Sequence, residues 1–201
     1  MTTLLRWLAL LLLLGSGWAH AGSIEPKGAT LVPDERGYAV NADFAVQIGP
    51  RLEDAVSRGV PLHFRFEIQI QRKRWYWIDE HLAGRVLKYR LSYQALTRQY
   101  RLSLGSLHQN FDSLDEALQA LGHVARLHVA DKSAVPAGEP LIVAVRLSLD
   151  HTQLPKPLQV DALADRDWQV EAGLQRWEFV PPPPGAPLPE GEAAGSPRSS
   201  K

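Results

Sequence analysis

The chain has 201 residues, 22 Lys/Arg against 22 Asp/Glu, and no cysteine. The missing cysteine removes thiol nucleophiles, cysteine-based metal sites and a lipid-modified cysteine anchor, and zero net charge excludes a domain that is basic throughout and built for nucleic acid. The charge is uneven: residues 51–101 hold 11 Lys/Arg against 5 Asp/Glu, and residues 102–180 hold 6 against 11. Either the two stretches pair in the fold, or a basic face meets an anionic envelope polymer or an acidic partner.

Residues 1–21 have the order of a cleavable signal peptide: Arg6, an apolar run over 8–14, Gly15-Ser16-Gly17, and the small-residue site Ala19-His20-Ala21. The apolar run falls short of the roughly 20 residues that span a bilayer. The expected product starts near Gly22, is exported to the periplasm, and keeps no integral membrane segment after cleavage. Residues 22–180, about 160 in number, suffice for one hydrophobic core.

Two strands are expected at 29–32 and 38–46, joined by the turn formers of 33–37, and a short helix begins at Pro50 with Leu52, Ala55 and Val56 on one face and Gly59 at its end. After Pro61 the pattern is strict: Leu62, Phe64, Phe66, Ile68 and Ile70 alternate with His63, Arg65, Glu67, Gln69 and Gln71, the signature of a half-buried strand. Leu87, Tyr89, Leu91 and Tyr93, then Tyr100, Leu102 and Leu104, repeat it around a hairpin connection at 94–99. Ser113 with Glu116 three residues later predicts a capping box and a second helix, with Leu114, Ala117, Leu118 and Leu121 inward and Gly122 at its end. Residues 142–149, 168–170 and 177–180 complete a set of about eight strands.

Local hairpins dominate and no βαβ alternation is present. The expected fold is mainly β: an antiparallel β-sandwich, immunoglobulin-like in general architecture, with two short helices. A twisted antiparallel sheet with both helices on one face is the alternative. Residues 181–201 hold seven prolines and almost no large apolar residue, so a disordered tail is expected.

The most unusual cluster is Arg72-Lys73-Arg74-Trp75-Tyr76-Trp77, three cations before three aromatics. If alternation continued, Trp75 and Trp77 would share the outer face of His63 and Arg65. A β-bulge near 72–74 would return them to the core instead. Left outside, they make a platform for a sugar ring or a partner's apolar side chain. Asp79-Glu80-His81 reads as an exposed turn, because adjacent carboxylates on a strand would point to opposite faces. Among the histidines, His123 and His128 are expected on opposite sides of a helix end, and no pair has the spacing of a zinc protease. Asp161, Asp165 and Asp167 lack a calcium-loop pattern, and no nucleophile-elbow, S-x-x-K or phosphate-loop motif occurs. No catalytic residue, metal site or cofactor is therefore assigned. The segment 149–158, stiffened by Pro155 and Pro157, is either a crossover between sheets or a preformed binding loop that includes Gln153.

Leu52-Glu53-Asp54-Ala55-Val56 with Gly59-Val60-Pro61-Leu62, the Arg74 to Glu80 segment, the Leu91 to Tyr100 segment and the Leu149 to Gln159 segment together resemble a proteobacterial family of exported proteins known only as a domain of unknown function, family 4390. The resemblance covers roughly residues 24–180. It implies a periplasmic protein of unassigned activity and no catalytic residues to carry over, and it suggests a membrane sensor kinase as a neighbour. The expected function is thus a non-catalytic periplasmic accessory or protein-interaction module, linked to a sensor's outer domain. The alternative is a binding module for an envelope glycan or lipid headgroup. The candidate binding residues are Arg72, Arg74, Trp75, Tyr76, Trp77 and Gln153.

Overall fold

The described residues form, in chain order, β1 (Ser23–Pro33), β2 (Gly37–Gln47), α1 (Pro50–Ser57), β3 (Leu62–Arg72), β4 (Glu80–Gln94), β5 (Gln99–Leu104), β6 (Leu107–Phe111), α2 (Leu114–Gly122), β7 (His123–Asp131), β8 (Leu141–Leu149) and β9 (Gln175–Phe179). The computed structural model describes residues 22–73, 80–156, 158–159 and 170–182. These nine strands among the described residues form two antiparallel sheets, one ordered β1-β2-β7 and one ordered β6-β5-β4-β3-β8-β9. The mainly β, two-sheet expectation holds, with two short helices.

The core lies between the sheets. From the larger one come Phe64, Phe66, Ile68 and Ile70 of β3 and Val143, Val145 and Leu147 of β8, all buried. From the smaller one come Val40, Ala42 and Phe44 of β2. Phe44 meets Phe66 edge-on, with centroids 6.1 Å apart, and Tyr38 meets Phe179 of β9 at 5.6 Å. Such tilted aromatic pairs add to the burial of their area. The helices fill the rest. Pro50 opens α1, which buries Leu52, Ala55 and Val56. Ser113 caps α2 by accepting from the Glu116 amide at 3.2 Å, and Ala117, Leu118 and Leu121 turn inward. Gly122 is required by close approach: a Cβ there would lie 2.2 Å from the Phe44 carbonyl oxygen.

Three expectations change. His123 and His128 lie on β7, not about a helix end. That strand's alternation is scrambled by register shifts against β2 between Tyr38 and Ala39 and between Val40 and Ala42, with Arg126 in left-handed backbone (φ 48°) at the second. Glu80 and His81 begin β4 rather than a turn, pairing with Arg72 and Gln71. The strand expected at 168–170 falls partly outside the described residues, and Val170, which is described, is buried but in no strand. β6, an edge strand, was not expected. A bulge does occur near the end of β3, but Leu82 of β4 is its extra residue, while β3 itself stays in step with β8 as far as Arg72↔Leu141. Residues 1–21, the expected signal, and 183–201, most of the expected tail, lie outside the described residues.

Candidate functional site on the outer face of the larger sheet

The polar halves of the alternating strands share one face. Register places them in cross-strand rows: His108, Ser103, Arg90 and His63 in one, Lys88, Arg65 and Ser148 in the next, Val86, Glu67 and Arg146 in a third. Directly opposite residues sit close enough to interact. Lys88, Arg90 and Gln69 are exposed, and His63, Arg65, Glu67, Arg146 and Ser148 are half-buried. No second layer covers this face among the described residues.

At one end the chain leaves β8 and turns. Asp150 accepts from the Thr152 amide at 3.2 Å and the Thr152 hydroxyl at 2.6 Å, which nucleates the 3-10 turn His151–Gln153. The Asp150 amide donates to the His63 carbonyl at 2.7 Å, fixing the turn to β3. Arg65 then reaches Asp150 at 3.2 Å and Glu67 at 3.4 Å, while Arg146 pairs with Glu171. Arg65, Glu67, Arg146, Ser148, Asp150 and Thr152 line an open cleft of about 260 Å³.

Electrostatics follow the geometry. Burial pushes the Asp150 carboxyl up, but the hydrogen bonds from Thr152 and Arg65 outweigh it and hold the group below the usual carboxylate range. Burial lowers the His63 imidazole, and the charge of Arg90 opposite lowers it further, against a pull from Asp150. The ion pairs of this face engage Arg65 and Arg146, and none among the described residues takes up Lys88 or Arg90. Among the described residues the face therefore carries Lys88 and Arg90 outside any ion pair, and Arg101 hydrogen-bonded to the neutral Asn110, beside a set of closed pairs. Among the described residues, no three His, Asp or Glu side chains are grouped to hold a metal ion. What the arrangement can do is bind: a surface with unspent positive charge, bordered by a cleft of paired guanidinium and carboxylate groups and hydroxyls.

The candidate binding residues from sequence do not gather there. Arg72 ends β3 on the parity of the core residues, 3.0 Å from Glu139 and 3.5 Å from Glu80, so its charge ties β3 to β4 and to the loop before β8. Arg74, Trp75, Tyr76 and Trp77 lie outside the described residues, as do Asp79, Asp161, Asp165 and Asp167. Gln153 is exposed on the 3-10 turn at the opposite end of β3. About 30 Å of strand separates it from Arg72, at ~3.3 Å per residue. Sequence reasoning passed over Lys88, Arg90 and the Arg65–Asp150 pair. Their signals were the polar parity of β4 and the Asp-x-Thr step after β8.

The model of one protein family, described as a domain of unknown function (DUF4390), matches residues 21–178. The chain belongs to this family. The matched stretch runs from the start of β1 almost to the end of β9, so the DUF4390 domain comprises both sheets and the whole outer face. No curated protein and no solved structure matches the chain. No helix among the described residues of the DUF4390 domain is long and apolar enough to cross a membrane.

Proposed function

We propose that this DUF4390 domain is a non-catalytic accessory module of the cell envelope that binds another protein through the outer face of its larger sheet. The single observation that carries the reading is the exposed pair Lys88 and Arg90, which among the described residues has no ion pair and no covering layer. Uncompensated charge on a surface speeds encounter with an acidic partner and selects it over others. The order of residues 1–21 supports export to the periplasm. The partner class that fits is the outer domain of a membrane protein with an acidic surface, such as a sensor kinase.

Photo-crosslinking in living cells tests this. A photoreactive residue replaces Gln69, on the face, and separately Gln153, at its border. The expected result is one defined protein adduct at Gln69 that disappears when Lys88→Glu and Arg90→Glu are combined. A glycan or lipid adduct at Gln69 would favour binding of an envelope glycan or headgroup. An adduct at Gln69 unchanged by charge reversal would show that Lys88 and Arg90 do not carry the contact, and an adduct at Gln153 with none at Gln69 would move the contact off the face to its border.

A further inference from the structure

The two sheets end in four edge strands, and three of them are guarded. β1 carries Pro26, Lys27 and Pro33, with a register shift between Pro26 and Gly28. β7 has two register shifts and the left-handed Arg126. β9 carries Arg176 and Glu178 and runs into Pro181 and Pro182. Proline, charge and bulges are the devices that stop an edge from pairing with another chain. β6 has none of them. Its sequence is Leu-His-Gln-Asn-Phe, it pairs in unbroken register with β5, four of its five residues are exposed, and Leu107 is 72% exposed.

Geometry defines what the open edge offers. Leu104 and Leu107 close a two-residue hairpin whose first central residue is Gly105 at φ 60°, the position where a II′ turn needs glycine. The closing pair exchanges both backbone bonds with β5, so Gln109 and Phe111 do likewise at every second position. The amides and carbonyls of His108 and Asn110 then point to the open edge.

We infer that β6 pairs antiparallel with β6 of a second copy, centred on Gln109, joining two six-stranded sheets into one. In that register His108 exchanges two backbone bonds with the partner's Asn110, and the symmetric pair does the same. Leu107 packs against the partner's Phe111 on the same face, in a close non-hydrogen-bonded position. Asp112 lies opposite the partner's Ser106. No two like charges oppose one another, and the two-fold register repeats the Leu107–Phe111 pair at both ends, which makes the strand complementary to itself. Five residues bury less than the ~800 Å² per partner of a standard interface, so the association is reversible. The pairing uses the backbone edge of β6 rather than the cations of the outer face, and its test reads mass rather than ligand.

Sedimentation of the protein, expressed with its own N-terminal segment and purified, tests the inference. The weight-average mass is expected to rise with concentration from one chain toward two. Gln109→Lys places two ammonium groups face to face and is expected to hold the protein at one chain, as is Asn110→Pro, which removes an edge donor. Mixing the Gln109→Lys and Gln109→Glu proteins is expected to restore the doubled mass. Circular dichroism checks that each variant keeps its fold, and Gln109→Lys leaves the backbone untouched if the proline variant does not. A mass of one chain at every concentration, a doubled mass indifferent to both substitutions, or capture of a different protein's strand by a crosslinker at His108 would each overturn it.

Discussion

Asp150 is tied to His63 by its backbone amide, and the two side chains respond to acid in the same direction for different reasons. The imidazole of His63 is held below its usual value near 6.5 by burial and Arg90, so the unfolded chain takes up this proton first as pH falls. Stability is therefore lost as pH drops below about 6.5. The Asp150 carboxyl is held below its usual 3.8 by Thr152 and Arg65. Its contribution is complete above that value and is lost as pH falls further, through the folded-state value. Thermal melts across pH are expected to show two successive declines, with His63→Gln removing the first and Asp150→Asn the second. An unchanged profile in both variants would separate acid sensitivity from this end of the sheet. Gly122 supplies a third residue-scale test. A methyl group there meets the Phe44 carbonyl oxygen at 2.2 Å, and Gly122→Ala is expected to cost about 1–3 kcal/mol, the scale of an overpacked core, in a denaturant titration.

Elements were legible where burial and alternation agree. β3 is buried on one parity and pairs with β8 without a register shift, so its pattern survives intact from Leu62 to Ile70. α2 was legible because Ser113 and Glu116 mark its start and three buried residues follow at helical spacing. β7 was hidden because two extra residues shift its parity mid-strand, leaving neither a period of two nor one of 3.6. β6 was hidden because an edge strand has little burial to select its residues. The candidate site was less legible still. Arg72 stood out in sequence for its neighbours, yet its partners Glu80 and Glu139 lie 8 and 67 positions away and are revealed only by register and loop placement. Arg90 opposite His63 is likewise a fact of pairing, not of sequence distance.

At the scale of the molecule, part of the uneven charge is met by contacts between the basic and acidic stretches among the described residues. Arg65 with Asp150 and Arg72 with Glu139 each join a cation from residues 51–101 to a carboxylate from residues 102–180. Part of the basic surplus is thus spent inside the fold, and Lys88 and Arg90 are part of what remains. Because the arginines are about a third exposed, these links are modest individually, and their chief effect is to fix which segment lies beside which.

The middle strand of each sheet has one neighbour close in sequence and one far away. β2 pairs with β1 across a short turn and with β7 up to residue 131, and β3 pairs with β4 next in line and with β8 up to residue 149. The chain is delivered from its N-terminus, so β2 waits as a half-paired hairpin from residue 47 to residue 131, and β3 from residue 94 to residue 149. A fragment ending at residue 122 holds both hairpins and neither closing strand. It is expected to show no cooperative melt, whereas the complete chain melts in one transition and refolds slowly, as non-local β-pairing demands. The interval between those two lengths is when this protein is most exposed to mispairing and to proteases, and the order of its strands makes that interval unavoidable.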